Sequence, residues 1–498
     1  MNIKTIAVVA FAVLSLTLVA SATVLQSTDV SAASESPSDY KDAMIWILGN
    51  ADGDEDIDAN DISVINKMKG QSASTYKLCD ANNDGKIDDS DARFVQDMID
   101  GKSEFIYYID YYENVCKFLV NGADETTYIM ASNRCSARTA VLLCKNNKLS
   151  DYKLVGLDQS SFDETEFGVK NGYINGTPIK VIGNGYSPEG ELVSSLEKTY
   201  GKVVLLCSSY EYTNSKISEL YENDDNVQIA FLPSWEDHSV NGVLTTGYLL
   251  GGVHKTSAWT QTTEYYAMVQ KYVGTIDKET AKMSESDKHT VMCVYSSVDN
   301  GSGDRTRGVG SGDMENTEQA GGKNLARLFG TENQTINYTL EDLAKYVKDV
   351  DVLIVLAGKA FDNGPSWMDK YAKDFADYIN GYVSPKTNIY ATTWQLNGAP
   401  FMVTMAFYAK VINPDNPTYK SWSVENIWKE YCDLCGYGDR SDMSIDSISI
   451  NSDVHHTTIS TDSAKTSDDS GIYLIIAAIV VAVALIVAIA WFYKTKHA

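Results

Sequence analysis

Between residues 104 and 439, short apolar runs rich in β-branched residues alternate with windows of helical periodicity. That alternation limits the fold more than any other feature of the chain. The runs lie at 140–144, 154–157, 179–182, 203–206, 228–232, 291–295, 352–356 and 388–392, with helical windows such as 188–200, 215–222 and 340–348 between them. Strands that are apolar along their whole length need cover on both faces, so this order predicts parallel sheets flanked by helices. Residues 262–287 contain no strand signal and no proline. They predict one long connecting helix, or two stacked ones, between a first α/β unit and a second. The expected fold class is α/β, with two doubly wound lobes joined by a long helix.

Ahead of this region stands a duplicated acidic loop. Asp80, Asn82, Asp84, Asp88 and Asp91 occupy positions 1, 3, 5, 9 and 12 of a twelve-residue segment, with Gly85 at 6, Lys86 at 7 and Ile87 at 8. A hard cation such as Ca²⁺ takes six to eight oxygens, and alternate residues of a tight loop supply them, position 7 through its carbonyl. An earlier copy places Asn50, Asp52, Asp54, Asp56, Asp58 and Asp61 in the same register, fixed by Ile57 matching Ile87. There Glu55 replaces the glycine and Asn50 the first aspartate, which predicts a weaker site. An amphipathic helix follows each loop, at 62–68 and 94–99, and each ends at a glycine, Gly70 and Gly101. Two such units about 30 residues apart, with Asp at position 12, resemble a dockerin module over residues 39–101. The resemblance implies a small α-helical domain that binds Ca²⁺ and docks onto a cohesin-bearing surface protein. A calcium-stiffened spacer is the other reading.

The two ends are apolar. Lys4 precedes an uncharged stretch closing on Ala20-Ser21-Ala22, the pattern of a secretory signal peptide over residues 1–22. Residues 471–493 contain no charge and are long enough to span a bilayer; Lys494 and Lys496 place that end in the cytoplasm. The Ser-, Asp- and Thr-rich segment 441–470 before it reads as a flexible stalk. Together these predict a single-pass membrane protein with the bulk of the chain extracellular. With 41 Lys+Arg against 67 Asp+Glu, the net charge of −26 argues against nucleic acid as a partner. Eight cysteines in an exported chain leave disulfides open, and sequons stand at Asn175, Asn300, Asn333 and Asn337.

Several segments of the large region resemble solute-binding proteins of the helical-linker class, which serve ABC importers of iron-siderophore, haem and corrinoid complexes. They are the loop, helix and AGGKN turn of residues 299–329, the strand 352–356, and the closing segments 389–400, 407–414 and 427–431. In the first lobe, residues 140–158 resemble the family's opening strand and loop, with a small strand pair at 107–121 ahead of them. The resemblance covers most of residues 104–439 and implies a ligand cleft between lobes, a metal-chelate ligand and an ABC permease as partner.

Residues that follow strands then become ligand candidates, because open α/β sheets bind at the carboxyl ends of their strands. Arg305 and Arg307 lie in a glycine-rich loop, Arg134 and Arg138 precede the run 140–144, and Trp235 and Trp394 follow two others. Arginine offers a fork for carboxylate and Trp a face for a ring, a combination suited to an anionic chelate. No G-x-S-x-G elbow, dinucleotide fingerprint or H-E-x-x-H occurs, so the reading is not an enzyme. Two alternatives stay open: a surface scaffold assembled through the calcium module, and a dockerin-bearing polysaccharide-active enzyme using a carboxylate pair.

Overall fold

A computed structural model describes residues 43–208, 217, 224–234, 239–295, 305–307, 312–329, 335–337, 339, 345, 350–357, 365–379, 382–384, 386–393, 396 and 398–437. The signal-peptide segment 1–22, the stalk 441–470 and the apolar run 471–493 lie outside them. Among the described residues no helix is long and apolar enough to cross a membrane.

The two acidic loops fold into a small unit around helices α1 (Ala59–Met68) and α2 (Asp89–Ile99). Asp58 and Asp88 are the N-caps, each in a capping box with the aspartate three residues on. Both helices begin a few residues earlier than their apolar periodicity predicts, because the capping aspartates start them. Ile65, Cys79, Ala81, Ile87 and Val95 form the unit's own core.

The chain entering this unit is bound into the rest of the protein. Trp46 and Leu48 exchange main-chain hydrogen bonds with strand β1 (Phe105–Ile109): Ile109 N–H donates to the Trp46 carbonyl at 2.8 Å and Leu48 N–H to that of Tyr107 at 2.9 Å. On the other side, Met44 N–H donates to Asn241 Oδ1 at 3.0 Å and Trp46 N–H to Thr245 Oγ1 at 2.8 Å. Ile45 and Ile47 are fully buried in the same core as the large sheets.

Strand β1 pairs with β2 (Val115–Leu119) as the expected hairpin. The first large sheet then forms from β3 (Thr127–Ala131), β4 (Tyr152–Leu157), β5 (Lys180–Val181), β6 (Val203–Cys207) and β7 (Val227–Phe231). Their order is β7-β6-β3-β4-β5, every pair parallel. Helices α3 (Arg134–Leu143) and α4 (Gly190–Tyr200) pack on the sheet. The run 140–144, expected as a strand, is instead the end of α3. Asn133 caps that helix through Oδ1, which accepts from Ser136 N–H, and its residues 137–143 are all buried.

Helix α5 (Ser239–Gly251) is buried along its entire length. The connecting helix α6 runs from 257 to 280, earlier than the predicted 262–287; turns occupy 281–287. It leads to the second sheet: β8 (Thr290–Tyr295), β9 (Arg305–Arg307), β10 (Lys323–Asn324), β11 (Thr335–Asn337), β12 (Val352–Ala357) and β13 (Asn388–Thr393). The order is β11-β9-β8-β12-β13, with β10 beside β8; β8 pairs parallel with β10 and β12, and β12 with β13, while β9 alone is reversed, pairing antiparallel with both β8 and β11. Helices α7 (Gly312–Gln319), α8 (Pro365–Ile379), α9 (Phe401–Ile412) and α10 (Val424–Cys435) complete this half, and α10 returns to pack on α3. The two large sheets are not hydrogen-bonded to one another.

The tightest contact in the first sheet is at Gly156. A Cβ there would stand 2.7 Å from Ile182 Cγ2 and 2.9 Å from Met130 Cγ. Gly156→Ala is expected to cost about 1–3 kcal/mol through overpacking, read as a lowered urea midpoint. An unchanged midpoint would mean that β4 and β5 are not packed this closely.

Candidate functional site

In the first sheet the chain moves from β3 to β4 and β5 on one side, then to β6 and β7 on the other. The strand order therefore reverses between β3 and β6, the point at which open α/β sheets bind their ligands. Ser132 follows β3 and joins the two ends: its N–H and its hydroxyl both donate to the Leu206 carbonyl, at 3.1 and 2.9 Å. At the end of β4, the buried Asp158 accepts from the N–H and hydroxyl groups of Ser160 and Ser161 and caps the short helix after it.

The second sheet contributes from the opposite side. Gly398, in the segment after β13, adopts φ +85°, and a Cβ on it would lie 2.9 Å from the Ser234 carbonyl and 3.4 Å from Cys135 Sγ. A side chain would strain both the backbone and this contact, so glycine lets the second lobe touch the carboxyl end of the first.

Arg134 and Arg138 both lie on α3, and acidic residues just after β4 hold them. Arg138 is fully buried; its Nε donates to Glu166 Oε1 at 2.6 Å and Nη2 to Oε2 at 2.8 Å, a bidentate pair. Burial disfavours the guanidinium's charge, but Glu166 outweighs it and holds the group above its ordinary pKa. The expectation that Arg138 faces a ligand is therefore corrected: its fork is filled and it sees no solvent. Arg134 Nε lies 2.5 Å from Glu164 Oε1 and keeps part of its surface exposed.

Arg305 and Arg307 belong to strand β9 rather than to a loop. The register pairs Arg305 with Tyr295, the last residue of β8, so its backbone stands at the carboxyl end of the second sheet. Trp235 and Trp394 lie outside the described residues. Among the expected ligand residues, the structure thus brings Arg134 and Arg138 together in the first half and Arg305 and Arg307 in the second. Glu164 and Glu166, which the sequence reading passed over, are the missed partners; two acids spaced i, i+2 opposite arginines spaced i, i+4 were the available signal.

The acidic loops share part of their hydrogen bonding. Asp54 N–H donates to Asn50 Oδ1 at 3.1 Å, as Asp84 N–H does to Asp80 Oδ1 at 3.0 Å. Asp58 N–H donates to Asp61 Oδ2 at 2.8 Å, as Asp88 N–H does to Asp91 Oδ2 at 2.9 Å. Asp61 also takes the N–H of Ala51 at 2.7 Å, and Asp91 that of Asn82 at 3.2 Å. Both copies turn left-handed at position 4, at Gly53 (φ +77°) and Asn83 (φ +56°); they differ at position 6, where the second loop turns again at Gly85 (φ +84°) and the first has Glu55. Burial raises the Asp54 and Asp56 carboxyls to about 6 and Asp61 to about 8. Among the described residues no three His, Cys, Asp or Glu side chains gather into a metal-binding group by themselves. A hard cation would have to draw on their amide and main-chain oxygens as well.

All eight cysteines are free thiols, including the buried Cys432 and Cys435. The sequon at Asn175 has its amide occupied, Nδ2 donating to the Asn146 carbonyl at 2.6 Å.

No family model matches the chain, and no curated protein matches it. Solved structures do match in shape. A TroA-like periplasmic binding protein, FepB from Veillonella parvula, is 13% identical with a TM-score of 0.50, covering 66% of this chain and 95% of its own. An ABC transporter solute-binding protein from Sulfurospirillum deleyianum is 14% identical at 0.47, covering 69% and 98%. The periplasmic heme-binding protein HutB of Vibrio cholerae is 14% identical at 0.41, covering 58% and 98%. The weight rests on the first, and it speaks to fold: the chain has the two-sheet α/β architecture of a TroA-like binding protein.

Breaking the buried pair tests its role. Glu166→Leu leaves the Arg138 charge uncompensated and is expected to cost about 3–5 kcal/mol in urea denaturation, whereas Arg138→Met with Glu166→Leu costs much less. Equal losses in the single and double variants would refute the pairing.

Proposed function

We propose that the protein is a membrane-anchored, extracellular solute-binding protein that captures an iron chelate, a corrinoid or a similar metal complex and delivers it to an ABC permease. The observation supporting this is the architecture. Two separate sheets, each with a parallel set of strands, are connected along α6, and the segment after the last strand of one meets the carboxyl end of the other. Arg305, Arg307, Trp235 and Trp394 are the residues assigned to the ligand, with Arg134 at the rim. The signal peptide and the segment 471–493 would export and tether the chain, and the reaction is binding without chemistry.

The full chain in detergent, with its eight tryptophans as reporters, would be titrated with haemin, cobalamin and a ferric hydroxamate. Saturable quenching by at least one is expected, weakened by about tenfold or more in Arg305→Ala/Arg307→Ala, since charge-assisted bonds carry about 1.5–3 kcal/mol each. Absence of binding to all three, together with glycan hydrolysis, would replace this reading with the enzyme.

The N-terminal unit we assign as a dockerin-like module holding Ca²⁺, with Asp80, Asn82, Asp84, Asp88, Asp91 and the Lys86 carbonyl forming the stronger site. A cohesin-bearing surface protein is the partner such a module would take. Supporting this is the matching hydrogen-bond register of the two loops, in which position 1 accepts from the N–H of position 5 and position 12 from that of position 9 in each copy. Calorimetry should detect Ca²⁺ binding that Asp80→Ala abolishes. Raising Ca²⁺ from chelator conditions to 100 times Kd should stabilise the fold by about 2.7 kcal/mol. Identical melting with Ca²⁺ and with chelator would remove the cation from the account.

A further inference from the structure

The helix over residues 257–280 is not uniform. Ser257–Val269 and Thr275–Thr280 are α-helical, but Gln270–Gly274 between them is a π turn. A π turn carries one residue more than α geometry, is rare, and tends to mark a functional point in a helix. Two more features soften the same place. Gly274 lies inside it, and Thr275 Oγ1 donates to the Lys271 carbonyl at 2.7 Å, which competes with the main-chain ladder and bends helices.

An outside group grips this turn. Glu430 of α10 accepts from Lys271 Nζ at 2.9 and 2.8 Å through its two oxygens, and from the Tyr272 hydroxyl at 2.7 Å. Lys271 Nζ also sits 4.7 Å above the Tyr272 ring, and that ring meets Trp422 edge-on at 5.5 Å. The helix carrying Glu430 packs on α3 of the first half and on α9 of the second, so it bridges both. The softest turn of the connecting helix is thus tied to the element that spans the two sheets.

We propose that the π turn at 270–274 is the pivot about which the two sheets change their relative angle, and that Glu430 is the latch holding it. Without Glu430, Lys271 and the Tyr272 hydroxyl lose the acceptor that fixes them, and the turn can shift towards α geometry. One residue of register change rotates the helix beyond it by about 100°, so the turn is a sensitive place to set an inter-lobe angle. The inference rests on the two-sheet architecture and is independent of which ligand is bound.

Hydrogen exchange on the full chain tests it with Glu430→Ala. Amides of residues 268–276 should exchange about fivefold faster or more, while those of β3 and β8 stay unchanged. Spin labels on the exposed positions Leu192→Cys and Lys373→Cys, one in each half, should give a broader distance distribution in the same variant. The charge swap Lys271→Glu with Glu430→Lys renews the ion pair but gives the Tyr272 hydroxyl no acceptor, so it should recover both readouts in part. Unchanged exchange at 268–276, a rise spread evenly through both sheets, an unbroadened distance distribution, or a swap that recovers nothing would each overturn the latch.

Discussion

Both large sheets are buried on both faces, and everything else in the architecture answers to that requirement. The strands divide their residues with period two. Val291 and Cys293 of β8, and Val352, Ile354 and Leu356 of β12, enter the main core, whereas Met292, Val294, Leu353 and Val355 enter a separate core under α8. The first sheet does the same: Ile129 and Ala131 of β3 and Val204 and Leu206 of β6 face the main core, and Met130, Val203, Leu205 and Cys207 face the one under α4. One core therefore serves the inner faces of both sheets, and α5, α6, α9 and α10 fill it. This explains why α5 and α9 lack an amphipathic pattern, since every residue of α5 and all but Lys410 of α9 are buried.

That shared core also limits what the sequence could reveal. Strands β4, β6, β7, β8, β12 and β13 were legible because a doubly buried strand is a continuous apolar run. The same rule failed at residues 140–144, whose apolar run is the buried end of α3. A short apolar run carries no periodicity, and burial on all sides removes the amphipathic signal that separates helix from strand. β3 was missed for the converse reason. Its sequence Thr-Tyr-Ile-Met-Ala begins with polar-tipped residues, yet it sits at the centre of the sheet, where Tyr128 stacks on Tyr200 at 4.4 Å.

The N-terminal unit shows a different limit. Its loop register was readable because each oxygen-bearing residue has a fixed place in a twelve-residue turn, and the hydrogen bonds keep that register. Its attachment was not readable. Residues 43–48 contribute Ile45 and Ile47 to the main core, and the buried Asn241 and Thr245 of an otherwise apolar helix satisfy the main-chain N–H groups of Met44 and Trp46. Those two polar residues look misplaced on α5 until the segment they serve is seen. An ion bound in the first loop would thus act on a segment already built into the large body, only a few residues from its core.

The electrostatics of the first half narrow the roles open to its arginines. In a chain of net charge −26, four arginines stood out as anion-binding candidates, but Arg138 is neutralised by Glu166 and Arg134 lies against Glu164. Each pair is internally balanced, so these arginines add no net positive charge to the first half. The buried Arg138–Glu166 pair therefore acts as a tie between α3 and the segment that follows β4, and because both groups are out of water each depends on the other for its stability.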